Sequence, residues 1–276
     1  MADRIRKIGN STIQYGEFNN RVFLLKYDSS DSEAVLPELE QLAKEGGYSK
    51  IVTKIHAEDL PVFILKGYKV EAYVPKFYNG KGDCVLASRF FDKNREDAPA
   101  ELMNVFSGIL NSANSSDDKK VLNGYELRQL QEEDAGVISK VLESVFDTYP
   151  FPVENPEYIL KTMREESALY FGVWDDKKLI GISNAEVDFN RGNAEMTDFA
   201  VIPEYRGKNL ALHLLNFMEK EIKLKGIKTA YTIARLAEPG MNKTFLNAGY
   251  RYSGTLVNNT NIAGKIESMN IFYKHL

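Results

Sequence analysis

Residues 193–225 constrain the fold of this 276-residue chain more than any other stretch. Residues 194–201 are rich in apolar and β-branched side chains, which predicts a strand. Pro203 ends that strand, because proline has no N–H for a sheet ladder. From Gly207 onward apolar residues recur every three or four positions, which predicts a long helix with one apolar face. The stretch therefore predicts a strand, a turn and a helix of an α/β domain.

The turn between this strand and this helix holds Arg206, Gly207 and Lys208. The first turn of a helix has free backbone N–H groups, and the helix dipole favours an anion there. The two basic side chains add positive charge. The turn is therefore predicted to bind a phosphate group.

The composition limits the class of protein and the kind of partner. Hydrophobic residues make up 43% and charged residues 27%, as in ordinary soluble proteins, and a net charge of −4 argues against nucleic acid or an anionic membrane as main partner. The single cysteine, Cys84, excludes an internal disulfide and fits a reducing compartment. No apolar run approaches the roughly 20 residues that span a bilayer. The three histidines have no metal-ligand spacing. We expect a cytoplasmic protein without a metal.

The remaining sequence predicts two domains. Residues 1–110 alternate predicted strands and helices and form a smaller α/β domain. Residues 111–122 are small and polar, which predicts a linker. The strand and helix pattern then restarts over residues 123–276, the predicted main domain.

The two predicted domains align with each other without gaps from a Gly-Tyr pair in each domain through Phe91 and Tyr273. Gly67-Tyr68 matches Gly249-Tyr250, and the same offset pairs Phe90 with Phe272. Chance similarity and a degenerate repeat both explain this match. The first copy has no counterpart of the Arg-Gly-Lys turn, so it is predicted to bind no phosphate.

The segment 206–211 resembles the pyrophosphate motif of the GNAT acetyltransferase superfamily, which reads Gln or Arg, two residues, Gly, one residue, Gly or Ala. Its fourth position here is Asn209, where the motif has glycine; asparagine keeps an N–H and tolerates positive φ. The order of predicted elements also resembles this family. The resemblance implies a GNAT fold of the α/β (α+β) class. That fold has a mixed central sheet with flanking helices, here preceded by a smaller degenerate GNAT-like domain.

Other segments resemble the β-lysine N-acetyltransferase branch of that family. They are Tyr-Pro-Phe-Pro at 149–152, Asn-Ala-Glu-Met-Thr-Asp-Phe at 193–199, Thr-Ile-Ala-Arg at 232–235, Gly-Met-Asn at 240–242, Asn-Asn-Thr-Asn-Ile at 258–262 and Glu-Ser-Met-Asn at 267–270. The resemblance implies an enzyme that transfers acetyl from acetyl-CoA to the ε-amine of β-lysine, giving Nε-acetyl-β-lysine, a compatible solute in osmoadaptation. It also implies a metabolic partner, lysine 2,3-aminomutase. The sequence is compatible with a homodimer.

This reaction needs a base, because removing the proton of an ε-ammonium costs about 4–5 kcal/mol at pH 7. The opening strand carries two acids, Glu195 and Asp198, which on a regular strand point to opposite faces. Glu195 stands five residues before Ala200, the offset of the base in the histone-acetylating branch. We therefore favour Glu195 as base and keep Asp198 as the alternative. Either acid could instead form a structural ion pair, and both are candidate substrate contacts.

The resemblance also assigns cofactor contacts. The backbone of Phe199, Ala200 and Val201 would pair with the pantetheine arm, and a β-bulge there would separate the adjacent strands and admit the cofactor. The remaining candidates are Arg206, Gly207, Lys208, Asn209, Leu210 and Ala211 for the pyrophosphate, Asn242 for the pantetheine amides, and Phe245. Phe245 stands where many relatives have a tyrosine that protonates the leaving thiolate. Phenylalanine cannot do this, so water or another hydroxyl (Tyr231, Tyr250 or Tyr273) would have to.

Five more residues are candidate substrate contacts. Arg235 could bind a substrate carboxylate, or pair with Glu238 on the surface. Asn259 and Asn261 could contact polar substrate groups or be turn residues. Tyr149 and Phe151 could form a wall over the amine or simply pack.

Two other functions fit the same sequence. A polyamine or other small-amine N-acetyltransferase would use the same phosphate turn without needing Arg235. A non-catalytic acyl-CoA-binding sensor would keep the turn but need neither Glu195 nor Asp198.

Overall fold

A single mixed sheet of thirteen strands runs through the part of the chain described by the computed structural model, residues 3–112, 124–146 and 152–276. The strands are β1 Arg4–Ile8, β2 Ser11–Gly16, β3 Arg21–Lys26, β4 Lys50–His56, β5 Lys69–Tyr78, β6 Gly82–Phe90, β7 Glu126–Gln129, β8 Ala168–Asp175, β9 Lys178–Asp188, β10 Asn193–Val201, β11 Thr229–Arg235, β12 Arg251–Ile262 and β13 Lys265–His275. The helices are α1 Ser32–Gly46, α2 Leu60–Leu65, α3 Lys93–Glu96, α4 Ala100–Ser112, α5 Ala135–Val145, α6 Pro156–Arg164, α7 Leu210–Leu224 and α8 Pro239–Asn247.

The strands lie in the order β1-β2-β3-β4-β6-β5-β12-β13-β11-β10-β9-β8-β7. The pairs β3–β4 and β10–β11 are parallel, whereas their neighbours pair antiparallel. This mixed sheet with flanking helices confirms the predicted fold class. The sequence did not predict β1, β2 or α3, because β1 is mostly charged and α3 is a single turn.

The sheet has a first half, β1 to β6, and a second half, β7 to β13. In each half an antiparallel pair (β2–β3 or β9–β10) leads to a parallel pair (β3–β4 or β10–β11) and then to a closing hairpin. The aligned glycines have equivalent backbones, since φ is 82° at Gly67 and 85° at Gly249. The same elements therefore follow one another in both halves.

Strand pairing joins the two halves where β5 lies beside β12, a place that we call the seam. There Ala72 of β5 pairs antiparallel with Gly254 of β12. Beside the seam, apolar side chains of both halves share one buried cluster: Phe23, Val52, Ala72, Val74, Phe77, Tyr78, Cys84, Leu86, Tyr231, Leu256, Met269, Ile271 and Tyr273. Because burial of this shared apolar surface is favourable, the halves stabilise each other.

Three cations of the first half bind consecutive carbonyls of β12 near the seam. The side chains of Lys50, Arg95 and Arg21 donate to the carbonyl oxygens of residues 257, 258 and 259, at 2.7, 2.5 and 2.6 Å respectively. These carbonyls lie where the register of β12 and β13 shifts, so the regular ladder of backbone hydrogen bonds supplies no donors to them. The cations therefore supply the donors that this irregular stretch needs. Glu71 lies 2.8 Å from the buried Lys50 ammonium and balances part of the charge.

Helix α4 precedes the predicted domain boundary but packs on the second half. Its Phe106 lies edge-on to Tyr252 and Phe272, with ring centroids 5.0 and 6.0 Å apart. Residues 111 and 112 of the predicted linker belong to α4, and the remainder lies outside the described residues. The long helix α7 buries its predicted stripe, including Leu214, Met218 and Ile222, and so fixes the turn that precedes it against the sheet.

Candidate active site

A β-bulge interrupts β10 at Asp198 and Phe199. Thr197 pairs with Asn184 and Ala200 pairs with Ile182, so three steps along β10 match two along β9. Asp198 has a φ of 55°, and its carboxylate accepts a hydrogen bond from the Thr197 hydroxyl at 3.2 Å. A bulge bends its strand and changes the direction of the side chains. The strict alternation that would send Glu195 and Asp198 to opposite faces therefore does not hold here.

The parallel pairing of strands β10 and β11 ends at the pair Glu195 and Tyr231, and beyond it lies a gap between the two strands. Their parallel pairing in the described residues covers residues 193–195 and 229–231, although both strands continue further. On the side of β10 that faces the gap, the backbone of residues 199–201 has lost its sheet partner. An extended ligand could pair there as an added strand would.

The predicted phosphate turn has two residues with left-handed backbone. Gly207 has a φ of 80°, and Asn209 has a φ of 57° directly before α7. A Cβ at Gly207 would meet no atom within 4 Å, so its backbone angle rather than crowding requires glycine. Asparagine tolerates the left-handed region, so the departure from glycine at position 209 leaves the turn intact. The exposed Arg206 and Lys208 flank the open first turn of α7.

Four side chains from four strands meet at the start of the gap; we call them the carboxylate cluster. Glu195 of β10 lies opposite Glu186 of β9 and Tyr231 of β11. Tyr231 lies beside Glu195 in the parallel pair, and its hydroxyl acts to lower the pKa of the Glu195 carboxyl. Lys54 of β4 donates to the Tyr231 hydroxyl, with 3.0 Å between nitrogen and oxygen. The first half of the sheet thus contributes Lys54 to this cluster.

The carboxyl groups here hold protons more tightly than usual. Burial, followed by repulsion from Glu195, raises the pKa of Glu186 to about 7. Burial also raises the pKa of Glu195, against the opposing effects of the Lys54 charge and the Tyr231 hydrogen bond. Burial raises the pKa of Asp198 to about 7. Carboxylates with such pKa values can accept a proton near neutral pH, as a general base must.

Arg235 and Asn242 are engaged within the protein. The Arg235 guanidinium donates two hydrogen bonds of 2.8 Å to Glu267 and lies 3.0 Å from Glu238. The Asn242 amide donates to the carbonyls of residues 235 and 238 at 2.9 and 2.8 Å, and its oxygen accepts from Asn270 at 2.9 Å. Both donors of the Asn242 amide are therefore used within the protein, and Arg235 forms the ion pair with Glu238 that was the alternative.

The other candidates fall outside the cluster or outside the described residues. Phe245 is 1% exposed and lies edge-on to Phe199, with ring centroids 5.6 Å apart. Asn261 donates to the carbonyl of Phe18 at 2.7 Å and accepts from the turn at Gly264, which fits a structural role. The buried Asn259 donates to the adjacent Thr260 hydroxyl at 3.2 Å. Tyr149 and Phe151 lie outside the described residues.

Sequence reasoning missed Glu186 and Lys54. Glu186 could have been found, because the turn at residues 190–193 sets the register that places it opposite Glu195. Lys54 had no local signal, since only the packing of the two halves brings it to Tyr231.

No described helix is long and apolar enough to cross a membrane. No three described His, Cys, Asp or Glu side chains are grouped as a metal site requires.

Comparison with known proteins places this site in a family. Residues 129–250 match the model of the acetyltransferase (GNAT) family. The chain is 35% identical to a β-lysine N(6)-acetyltransferase of Methanococcus maripaludis, over 99% of this chain and 98% of the relative. It is 33% identical to N-acetyltransferase YodP of Bacillus subtilis, over 96% of each chain. It is 30% identical to a β-lysine N(6)-acetyltransferase of Methanosarcina mazei, over 88% of this chain and 97% of the relative.

These likenesses extend over nearly the full length of both chains, and the family match covers the bulge, the phosphate turn and α7. The chain is an N-acetyltransferase and belongs to the acetyltransferase (GNAT) family.

Proposed function

We propose that this enzyme transfers the acetyl group of acetyl-CoA to the ε-amine of β-lysine, giving Nε-acetyl-β-lysine. The carboxylate cluster carries the proposal, because it lies where β10 and β11 part, on the strand that leads to the phosphate turn. Its acids suit a substrate with two ammonium groups. The relatives from Methanococcus maripaludis and Methanosarcina mazei bear the name of this activity.

The gap and the turn fit acetyl-CoA. The pantetheine arm would pair with the backbone of residues 199–201, and the pyrophosphate would bind the N–H groups of residues 207–211. Arg206 and Lys208 would add charge to that contact. The bulge keeps the backbone at 199–201 turned toward the gap.

Glu195 is the proposed base. It would take one proton from the ε-ammonium, and the neutral amine would then attack the thioester carbonyl. The new C–N bond forms and the C–S bond breaks. The nitrogen loses its second proton as it becomes the amide, and the thiolate takes up one proton, so the step balances. Of the tyrosines that could supply that proton in place of Phe245, Tyr231 belongs to the carboxylate cluster, whereas Tyr250 lies against Glu219 of α7.

The product is proposed to serve as a compatible solute in the cytoplasm, during osmoadaptation. The substrate would come from lysine 2,3-aminomutase. Both proposals rest on the resemblance to the β-lysine N-acetyltransferase branch.

The direct test measures release of CoA in parallel with β-lysine, spermidine and no acceptor. We expect turnover with β-lysine and a product acetylated at the ε-nitrogen by mass spectrometry and NMR. Turnover with spermidine but not β-lysine would make the enzyme a polyamine acetyltransferase. No turnover with any amine, together with tight acetyl-CoA binding, would favour a sensor.

Replacing both Arg206 and Lys208 by glutamine should raise the Kd for acetyl-CoA about tenfold, which corresponds to about 1.4 kcal/mol. The side chains are exposed, so the stability of the fold should not change. Isothermal titration calorimetry at low salt measures the effect. Lys220→Gln, an exposed lysine further along α7, is the matched control and should bind normally. Unchanged affinity in the double variant would contradict this role of the turn.

The first half is proposed to be a degenerate copy of the acetyltransferase fold that binds no CoA. Its loop between β3 and α1 carries acids where the second half carries Arg206 and Lys208. There the Asp31 carboxylate accepts from the backbone N–H groups of Asn10 and Ser11, at 2.8 and 2.9 Å. This negative charge would repel a pyrophosphate. The same titration should therefore give one acetyl-CoA per chain, and two would contradict the proposal.

A further inference from the structure

We infer that Lys54, supplied by the first half of the sheet, is a positioning residue of the active site. It holds the Tyr231 hydroxyl so that this hydroxyl donates its proton to Glu195. The inference rests on the proposed function, because it concerns the base of that reaction.

The direction of the hydrogen bonds follows from the chemistry of the donors. A lysine ammonium has three donors and no acceptor, so the Tyr231 oxygen must accept at the 3.0 Å contact with Lys54. The one phenolic proton is then left for Glu195, directly across from Tyr231 in the sheet. The Tyr231 ring is 6% exposed and lies edge-on to Phe77, with centroids 4.9 Å apart. Its packing therefore fixes where the hydroxyl points.

This arrangement decides which acid of the pair keeps the negative charge. Glu186 and Glu195 are directly opposite in an antiparallel pair, where Cβ atoms lie about 5 Å apart. Ionising the second of two carboxyl groups this close costs extra free energy, because the two negative charges repel each other. The two groups therefore titrate as a coupled pair. Tyr231 lies across from Glu195 and acts to lower the pKa of that carboxyl, whereas burial and repulsion from Glu195 raise the pKa of Glu186. The charge therefore rests on Glu195 and the shared proton on Glu186.

Other ionisable groups around the pair do not replace Lys54. Asp198 lies on the same strand, Tyr158 of α6 approaches Glu186, and Cys84 of β6 approaches Tyr231; Tyr273 of β13 pairs with Tyr231. None of these is a cation. Among the described residues, Lys54 is the positive charge that acts on both carboxylates.

The test compares pH profiles of kcat/KM for β-lysine. Removing the positive charge in Lys54→Met disfavours ionised Glu195 and raises its pKa, so the base becomes protonated at a pH where the wild type is still active. We expect the acidic limb to move up by roughly one pH unit. Lys54→Arg keeps the charge and should keep the wild-type limb. Tyr231→Phe removes the hydrogen bond and should move the limb in the same direction as Lys54→Met.

Lys69→Met is the matched control, because Lys69 is an exposed lysine of the first half paired with Glu96. Its acidic limb should match the wild type. A raised KM in Lys54→Met with an unmoved limb would make Lys54 a substrate contact and overturn the inference. If Lys54→Met does not fold by circular dichroism, Tyr231→Phe decides the question. If the wild type itself shows no turnover with β-lysine, the proposed function is wrong. That result differs from an unmoved acidic limb in Lys54→Met, which overturns only the inference about Lys54.

Discussion

Glu195→Gln lowers kcat for β-lysine by about 10²- to 10⁴-fold. Glutamine keeps the shape of the side chain but cannot accept the proton of the ε-ammonium, whose removal costs about 4–5 kcal/mol at pH 7. The Kd for acetyl-CoA should stay unchanged, because residues 199–201 and the phosphate turn remain in place. Steady-state kinetics and calorimetry measure the two quantities.

The pH dependence and two companion variants separate Glu195 from its neighbours. The loss in Glu195→Gln should shrink at high pH, where the substrate amine loses its proton to water. A rate equal to the wild type at every pH would dismiss Glu195 as the base. Asp198→Asn tests the alternative base, and a large loss there alone would transfer the role to Asp198. Glu186→Gln should lose less than Glu195→Gln, because Glu186 is the protonated member of the pair.

Gly254→Ala should lower the free energy of unfolding by about 4 kcal/mol, since overpacking and backbone strain each cost about 1–3 kcal/mol. A Cβ at this position would lie 2.0 Å from the carbonyl oxygen of Glu71 and 2.8 Å from the Cα of Ala72. Both atoms belong to the backbone of β5, which cannot turn aside as a side chain would. Gly254 also has a φ of 147°. Urea unfolding followed by circular dichroism measures the change.

Gly264→Ala is the control for the clash. Gly264 has a φ of 82°, but no atom lies within 4 Å of the position of its Cβ. The alanine should therefore cost only the backbone strain, about 1–2 kcal/mol. Equal losses in the two variants would show that contact between the halves at the seam is not what requires glycine at position 254.

Local sequence patterns predicted most of the fold. A strand at residues 194–201 and a long helix after Gly207 were expected, and the structure has β10 at Asn193–Val201 and α7 at Leu210–Leu224. Their apolar spacing and the turn at Gly207 can be predicted from neighbouring residues alone. The bulge in β10 was instead expected from the resemblance to the GNAT family.

Contacts between distant residues limited the prediction of the site. Arg235 was expected to meet a substrate carboxylate, but Glu267, 32 residues away, occupies its guanidinium. Asn261 meets Phe18, and Lys54 meets Tyr231, across separations of 243 and 177 residues. Such pairs depend on how the two halves pack, and the spacing of apolar residues along the sequence does not predict that packing. The sequence analysis named Glu195 and Tyr231 of the carboxylate cluster, whereas Glu186 and Lys54 were identified only in the structure.

The seam has a consequence for how the enzyme responds to dilution. Both halves belong to one polypeptide, so each experiences the other at the high local concentration that covalent linkage provides, in the millimolar range for short flexible tethers. An enzyme assembled from two separate chains would lose Lys54 from its site whenever those chains dissociated. Here the covalent link keeps Lys54 beside Tyr231, so dilution of the enzyme does not separate Lys54 from its site.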